Sequence, residues 1–306
     1  QNLPLLMITF FKRTITSKSL KIIPQFEKGC WVYVVNPDQV ELSRLTEEYK
    51  LDSDLVEEGL DDNELPRLDM YEYRTYIFAK VLSSQPNKLV TILMILGDDF
   101  ILTISKEELT LLSSIEKSNI PTTQKLKFLI NLFMLTNDAA ERSVVKVVKN
   151  VQSKKRDPNQ LSEDDMETLL EQEDFLNNLV STYFYTNILY TKIVKKLKFS
   201  EDEKVTLEDL TVETQQGLNL CKTSLKTISN VRNVYSIILS NKLNRSIKFL
   251  TIFTIFVSIP AAISSLYGMN VTLPFQSNPY LFGYIVLGII SIWVLFTFIL
   301  KKKEVI

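Results

Sequence analysis

The sequence predicts an α/β domain that is followed by a long helical stalk and by two C-terminal membrane spans. The net charge of the 306-residue chain is −1, but the charges are distributed unevenly. Lys, Arg, Asp and Glu are frequent before Phe249, whereas the 52 residues from Phe249 to Leu300 contain none of them. The first third of the chain instead alternates between strand-like and helix-like segments. The chain is long enough to hold two parts of such different character.

Residues 1–120 are predicted to form the α/β domain. Segments rich in Val, Ile, Tyr and Phe, bounded by turn residues, predict five strands at residues 5–11, 31–36, 73–82, 89–96 and 100–105. Helices are predicted at residues 38–50 and 52–60. Pro86-Asn87 and Gly97-Asp98-Asp99 are typical of hairpin turns, so they predict pairing between successive strands.

Residues 121–205 are predicted to form a helical hairpin. An apolar stripe predicts a helix at residues 122–151, and a second helix is predicted at residues 161–199, after a turn that contains Pro158. The second helix begins with acidic residues and ends with lysines, an order that the helix dipole favours. We interpret its charged face as a solvated surface.

Residues 206–268 are predicted to form one long stalk helix, because Pro260 is their only proline and Gly217 the only glycine before Gly268. This helix would be about 95 Å long and would need packing partners along its length. One of its stripes follows alternating steps of three and four residues and is apolar or small, which predicts packing against neighbouring helices. Its members are Leu207, Leu210, Thr214, Gly217, Cys221, Ser224, Ile228, Val231, Tyr235 and Ile238.

Two segments are long and apolar enough to cross a membrane. A bilayer core of about 30 Å requires about 20 apolar residues in a helix, and we place the spans at about residues 247–268 and at 279–300. Lys242, Arg245 and Lys248 precede the first span, and a basic tail at 301–306 follows the second. The connecting loop, 269–278, has no Lys or Arg. The positive-inside rule therefore predicts cytoplasmic N- and C-termini and an outer loop, in the inner (plasma) membrane of the cell.

A second stripe of the stalk helix is polar or small at ten of twelve positions and continues in phase through the first span. It consists of Asn230, Asn233, Ile237, Ser240, Asn244, Ile247, Thr251, Thr254, Ser258, Ala261, Ser265 and Gly268. Ser and Thr in membrane helices also bond to their own backbone or to a neighbouring helix. The extension into the stalk favours a pore lining, which needs several copies of the chain. Ile237 and Ile247 would form narrow rings that close a wet path by dewetting.

The composition argues against most kinds of catalysis. The chain has no histidine and only two cysteines, Cys30 and Cys221, so it lacks the commonest general base and a zinc-binding cluster. No Gly-rich phosphate-binding loop of the ATPase type is present. We therefore expect that the protein is not an enzyme, and we expect no nucleic-acid partner.

Several segments resemble the CorA family of magnesium transporters. Tyr267-Gly268-Met269-Asn270 closes the first of two C-terminal spans, as the family's GMN motif does. Ile259-Pro260 and the lysines after the second span also match the family. The segments 31–37, 56–68 and 71–78 are similar to its N-terminal domain. The resemblance covers nearly the whole chain.

This resemblance implies a funnel-shaped homopentamer that conducts hydrated Mg²⁺, and also Co²⁺ or Ni²⁺, passively into the cell. Gly268, Met269 and Asn270 would form the selectivity filter at the outer mouth. Regulatory Mg²⁺ would bind between neighbouring subunits at Glu58 (or its neighbour Glu57) and Asp209, and would favour the closed state. The chain departs from some members because its outer loop has no acidic residue and Asn233 stands where they carry an aspartate.

Two other functions remain open at this point. One is transport of zinc or another transition metal, as in the ZntB-like branch of the superfamily. Met269 and the absence of histidine argue against it. The other is a membrane-anchored coiled-coil scaffold without transport, in which the polar stripe serves only packing. Membrane lipid and other copies of the chain are expected partners in any case.

Overall fold

The computed structural model describes residues 8–17, 19–156, 158–271, 273–274 and 278–302. The chain divides into a first unit, Gln1–Arg232, and a second unit, Asn233–Ile306. The strands are β1 (Ile8–Lys12), β2 (Lys21–Ile23), β3 (Cys30–Val35), β4 (Arg67–Tyr71), β5 (Arg74–Leu82), β6 (Leu89–Leu96) and β7 (Phe100–Ser105). The α-helices are α1 (Gln39–Tyr49), α2 (Ser53–Glu58), α3 (Leu112–Lys117), α4 (Lys125–Arg156), α5 (Glu163–Lys196), α6 (Glu201–Tyr267) and α7 (Leu281–Lys302).

The strands of the first unit form one mixed sheet in the order β2-β1-β3-β7-β6-β5-β4. β3 and β7 pair in parallel, with Cys30 opposite Phe100, while the other described pairs are antiparallel. The two predicted hairpin turns lie between β5 and β6 and between β6 and β7. At the first of them Asn87 has φ +58°, a left-handed conformation that Asn tolerates better than most residues.

Both faces of the sheet are covered, as the two-sided apolar strands require. In β3, Trp31 and Tyr33 point into a core that α4 completes with Phe128. Val32 and Val34 point the other way, into a core with α1 and α2. Trp31 donates a hydrogen bond from Nε1 to Thr103 Oγ1 (2.9 Å), so its one polar group is satisfied inside the first core.

The predicted fold class is confirmed, with shifts at the ends of elements. The strands at 89–96 and 100–105 have the predicted bounds, and β1 begins at Ile8, with residues 5–7 outside the described part of the chain. Helix α1 lies within the predicted range of 38–50, because Asp38 and Glu41 form a capping box at its start and Lys50 takes a left-handed conformation at its end. Three short elements, β2, β4 and α3, were not predicted from the sequence.

The predicted stalk helix is present, and α6 is 67 residues long, about 100 Å. It begins at Glu201 rather than Thr206, since Ser200 and Glu203 exchange hydrogen bonds in a capping box. The other helices also differ from prediction by a few residues, and α7 runs to Lys302. Of the predicted packing stripe, every member from Leu207 to Val231 is buried, which confirms that prediction for the first unit.

Candidate pore and metal sites

In the second unit, α6 and α7 pack through aromatic side chains. The Phe256 ring stacks on Trp293 with centroids 5.3 Å apart, and its centroid lies 6.0 Å from that of Phe296. This contact lies 11 residues before the end of α6 and 12 residues after the start of α7, as an antiparallel hairpin requires. Both helices are long and apolar enough to cross a membrane.

The membrane-length part of α6 has three distinct faces. The face toward α7 carries half-buried apolar residues: Ile252, Ile255, Phe256, Ile259 and Ile263. The polar stripe lies about 150° away around the helix at 100° per residue. A third face, with Phe249, Leu250, Phe253 and Val257, is exposed and apolar. The helix therefore presents one packing face, one polar face and one face suited to lipid.

All twelve residues of the polar stripe, from Asn230 to Gly268, are exposed in the single chain. The hydroxyls of Thr251 and Thr254 each donate a hydrogen bond to the backbone carbonyl four residues earlier, at 2.8 Å. This is the local bonding that the packing alternative predicted. It leaves the hydroxyl oxygens free to accept hydrogen bonds from water, so the stripe can line a wet path.

The GMN segment lies at the end of α6. The N–H of Gly268 donates to the carbonyl of Ser264 (2.9 Å), and the N–H of Met269 donates to Leu266 (3.4 Å). A Cβ at Gly268 would lie 3.2 Å from the Ser264 carbonyl oxygen, so glycine fits this helix end better than a larger residue. Met269 and Asn270 are both exposed. Residues 272 and 275–277 of the predicted outer loop, and 303–306 of the predicted tail, lie outside the described residues.

Glu58 is held in an ion-pair cluster at the end of α2. Its carboxylate pairs with Arg67, which also pairs with Glu64 and bonds to Asp69 Oδ2 at 2.6 Å. The guanidinium lies 3.9 Å from the centroid of the Phe78 ring. Partial burial opposes the charge of Arg67, but these carboxylates outweigh it, so its pKa is raised. The role of Arg67 was not predicted from the sequence, although a single arginine among so many acidic residues is a signal that could have indicated it.

The other two candidate regulatory ligands have no such partner. Glu57 and Asp209 are exposed and take part in no ion pair among the described residues. Within the described part of one chain, no group of three or more His, Cys, Asp or Glu side chains could hold a metal ion. The regulatory site between neighbouring subunits, which the resemblance implied, stays a prediction.

These features define a membrane protein with a large α/β domain, one long helix and a C-terminal pair of apolar helices. A sequence model of the family described as "CorA-like Mg2+ transporter protein" matches residues 26–302, and the chain belongs to this family. The cobalt/magnesium transport protein CorA of Methanocaldococcus jannaschii is 21% identical over 290 residues, which cover 89% of this chain and 90% of the relative.

Solved structures share the fold. The complete CorA magnesium transporter of M. jannaschii superposes with a TM-score of 0.78 at 18% identity and covers 98% of this chain and 99% of its own. The cytoplasmic domain of ZntB from Vibrio parahaemolyticus RIMD 2210633 has a TM-score of 0.63 at 8% identity, with 77% of this chain and 98% of that domain covered. The two structures together support the predicted fold class over nearly the whole chain.

Proposed function

We propose that this chain forms a homopentameric channel that conducts hydrated Mg²⁺ into the cell. The observation that carries the proposal is the polar stripe, which is exposed along α6 from Asn230 and leads to Gly268, Met269 and Asn270. One helix cannot enclose a path, whereas a ring of α6 helices with their polar faces inward can. The number five comes from the resemblance to the family, and the α7 helices would face lipid.

The chemistry of the stripe suits a cation that keeps its water. Mg²⁺ loses its hydration shell reluctantly. Asn233, Asn244 and Asn270 offer neutral carboxamide oxygens, which accept hydrogen bonds from the bound waters without replacing them. A ring of carboxylates would hold the ion more strongly, and conduction needs binding weak enough for release. The same path would accept hydrated Co²⁺ or Ni²⁺.

Ile237 and Ile247 interrupt the polar stripe and supply the means of closure. Their side chains are 61% and 53% exposed in the single chain. They stand ten residues apart, about 15 Å along the helix. In a closed ring of five helices, each position would form an apolar constriction that expels water. Small outward movements of the helices would let water return to both constrictions.

The direction of transport follows from the membrane potential. With both chain termini in the cytoplasm of the cell and the outer loop outside, an inside-negative potential favours entry of a divalent cation by about 4.6 kcal/mol per 100 mV. No other source of energy is needed. In this arrangement Asn270 meets the ion first, and the first unit lies on the side that senses cytoplasmic Mg²⁺.

Regulation by cytoplasmic Mg²⁺ would act through carboxylates of neighbouring first units. The oxygen ligands of Glu57, Glu58 and Asp209 suit a hard cation. Since Arg67 neutralises Glu58 in the single chain, a metal ion must compete with this guanidinium. Glu57, which has no ion-pair partner among the described residues, can bind with Asp209 of an adjacent copy without that competition.

Transport of zinc is a second candidate function, because the cytoplasmic domain of ZntB shares the fold of the first part of this chain. Zinc favours His and Cys ligands, and the pore stripe contains neither. Flux of Mg²⁺ and Zn²⁺ in competition distinguishes the two. A scaffold without transport would show no flux of either ion.

The experiment uses the full chain in liposomes that contain a Mg²⁺ indicator. Asn270→Ala should abolish selective Mg²⁺ uptake, while Asn219→Ala, an exposed asparagine of α6 outside the polar stripe, should leave uptake unchanged. Wild-type uptake and selectivity in Asn270→Ala would refute the filter assignment. A detergent-solubilised mass of one or two chains would refute the pore itself.

A further inference from the structure

The second unit carries positive charge and no negative charge in its described part. No Asp or Glu occurs between Glu213 and Glu304 in the sequence. The cations of the described residues 233–302 are Lys242, Arg245, Lys248, Lys301 and Lys302. All five are exposed, and none takes part in an ion pair among the described residues. We call these five residues the cation collar.

The collar residues of α6 lie on the α7 side of the helix. Lys242, Arg245 and Lys248 continue the series of three- and four-residue steps that leads to Ile252 and Phe256. At 100° per residue, Lys242 and Arg245 lie about 180° and 120° around the helix from the neighbouring part of the polar stripe, whereas Lys248 lies only about 60° from it. Lys242 and Arg245 are therefore outside the proposed path of the ion and Lys248 lies at its edge, so we seek the role of these cations on the outer surface of the helix pair.

The lysines of α7 reach the level of Lys248 on α6, and Arg245 and Lys242 lie about 5 and 9 Å further along that helix. Phe256 contacts Trp293. Lys248 lies eight residues before Phe256, and Lys301 lies eight residues after Trp293. In antiparallel helices both positions are about 12 Å from the aromatic contact, in the same direction. Five like charges thus gather at one end of the hairpin, where they repel one another unless an anion from outside the chain lies among them.

We propose that the cation collar binds the phosphate headgroups of anionic phospholipids. Phe249 and Leu250 follow Lys248 directly and are 73% and 63% exposed. A surface with cations at one level and exposed apolar side chains at the next matches the headgroup and the acyl chain of one lipid molecule. An acidic peptide would match the cations but would leave these apolar side chains uncovered.

The other end of the hairpin supports this placement of the bilayer. Tyr267, Tyr280 and Tyr284 are exposed there, and tyrosine is enriched at membrane–water interfaces. Lys248 and Tyr267 are 19 residues apart, about 29 Å along the helix, which matches a bilayer core. The collar therefore lies at headgroup depth in one leaflet, which is the cytoplasmic leaflet under the proposed orientation.

The test measures which lipids remain with the purified full-length chain. The chain is extracted from membranes that contain phosphatidylglycerol and phosphatidylcholine, and the lipids retained are quantified by mass spectrometry. Each surface cation favours anionic lipid roughly fivefold, so phosphatidylglycerol should be enriched severalfold over its membrane fraction. The triple variant Lys242→Gln, Arg245→Gln, Lys248→Gln should lose most of the enrichment, and so should Lys301→Gln with Lys302→Gln.

Two further variants guard against trivial outcomes. Lys222→Gln with Lys226→Gln removes exposed cations of α6 outside the collar and should keep the enrichment. The charge-conserving set Lys242→Arg, Arg245→Lys and Lys248→Arg should also keep it, which separates charge from folding. A thermal unfolding midpoint that rises with phosphatidylglycerol but not with sodium phosphate at equal concentration would show that the lipid, and not the free anion, is bound.

Three results would overturn the proposal. They are equal retention of the two lipids, unchanged enrichment in both collar variants, and equal stabilisation by sodium phosphate. The inference depends on the proposed membrane orientation but not on the identity of the transported ion. If a collar variant loses lipid selectivity but takes up Mg²⁺ normally, the proposed function stands. If the chain binds anionic lipid selectively but takes up no Mg²⁺, the proposal for the collar stands.

Discussion

Gly217 of α6 lies directly against the ring of Tyr183 on α5. A Cβ placed at Gly217 would be 2.7 Å from Cζ of the tyrosine, which is less than any ordinary contact allows. Tyr183 is 3% exposed and cannot move into solvent. The small residue in the packing stripe of α6 therefore sets how closely the two helices approach.

Gly217→Ala should lower the free energy of unfolding by about 1–2 kcal/mol, since overpacking a buried contact outweighs the better helix propensity of alanine. Gly283→Ala in α7 is the matched control, because a Cβ there meets nothing within 4 Å. Chemical denaturation of the full chain in detergent measures both. An equal or higher stability of Gly217→Ala would show that the Tyr183 ring shifts at no cost.

Alkaline pH should destabilise the first unit, because it contains a buried thiol and a buried phenol that stay protonated in the folded state. Burial raises the pKa of Cys221 from 9.0 to about 12 and that of Tyr33 from 10.0 to about 12. Their contribution to stability is therefore complete below pH 9 and is lost between about pH 9 and pH 12, where the unfolded chain ionises first.

Thermal unfolding midpoints between pH 8 and pH 11 measure this effect. The unfolding midpoint of Cys221→Ala should fall less steeply above pH 9 than that of the wild type. The lost packing of the side chain should lower the midpoint by the same amount at every pH. The buried Cys221 thiol should also react with a thiol reagent at pH 8 only after denaturation. Rapid reaction of the native chain would contradict the packing of α6 against α5.

Ile237→Ser should raise basal Mg²⁺ flux at high internal Mg²⁺, because a hydroxyl replaces the proposed apolar constriction and favours wetting. Leu239→Ser is the control, since Leu239 is similarly exposed (55%) but lies outside the polar stripe. Stopped-flow flux in liposomes compares the two. If both variants leak equally, the effect comes from general loosening of the helix and not from a gate.

Arg67→Met should increase the apparent affinity for regulatory Mg²⁺ if Glu58 is a ligand, because it removes the cation that competes for the carboxylate. A pair that is partly exposed is worth up to about 1 kcal/mol, or about fivefold in affinity. Protection from limited proteolysis by Mg²⁺ measures the affinity of the full chain.

Arg44→Met removes an exposed ion pair with Glu48 and should leave this protection unchanged. Glu58→Gln should weaken the protection. If Glu58→Gln has no effect and Glu57→Gln weakens it, then Glu57 is the ligand and Arg67 serves only the fold of the α2–β4 segment.

The sequence made the main features predictable where a local rule decides the outcome. Asp38 and Glu41 specify the start of α1 through their mutual hydrogen bonds, and the apolar stripe from Leu207 to Val231 specifies the buried face of α6. β4 was not predicted because its pairing with β5, rather than its own composition, makes it a strand. In this pairing Leu68 lies opposite Ile77. Likewise, the pairing of Glu58 with Arg67 depends on a tertiary arrangement that residue spacing does not reveal.

The candidate site was predictable only in part. The exposure of Asn233, Thr254 and Asn270 in one chain agrees with a pore lining, but the enclosure of a path remains a prediction because it requires other copies. The same holds for Asp209, whose proposed metal ligands belong to a neighbouring subunit.

Pro260 has a mechanical consequence for the outer mouth. Proline has no N–H, so the carbonyl of Phe256 lacks its usual partner in the helix and α6 is easiest to bend there. Phe256 is also the residue whose ring stacks on Trp293. The point at which α6 bends most easily therefore coincides with its aromatic contact to α7. A tilt of the final turns, which lead to Gly268 and Asn270, would therefore pivot at a point that the stack on Trp293 holds in place, so the outer mouth could change its width while the rest of α6 keeps its contact with α7.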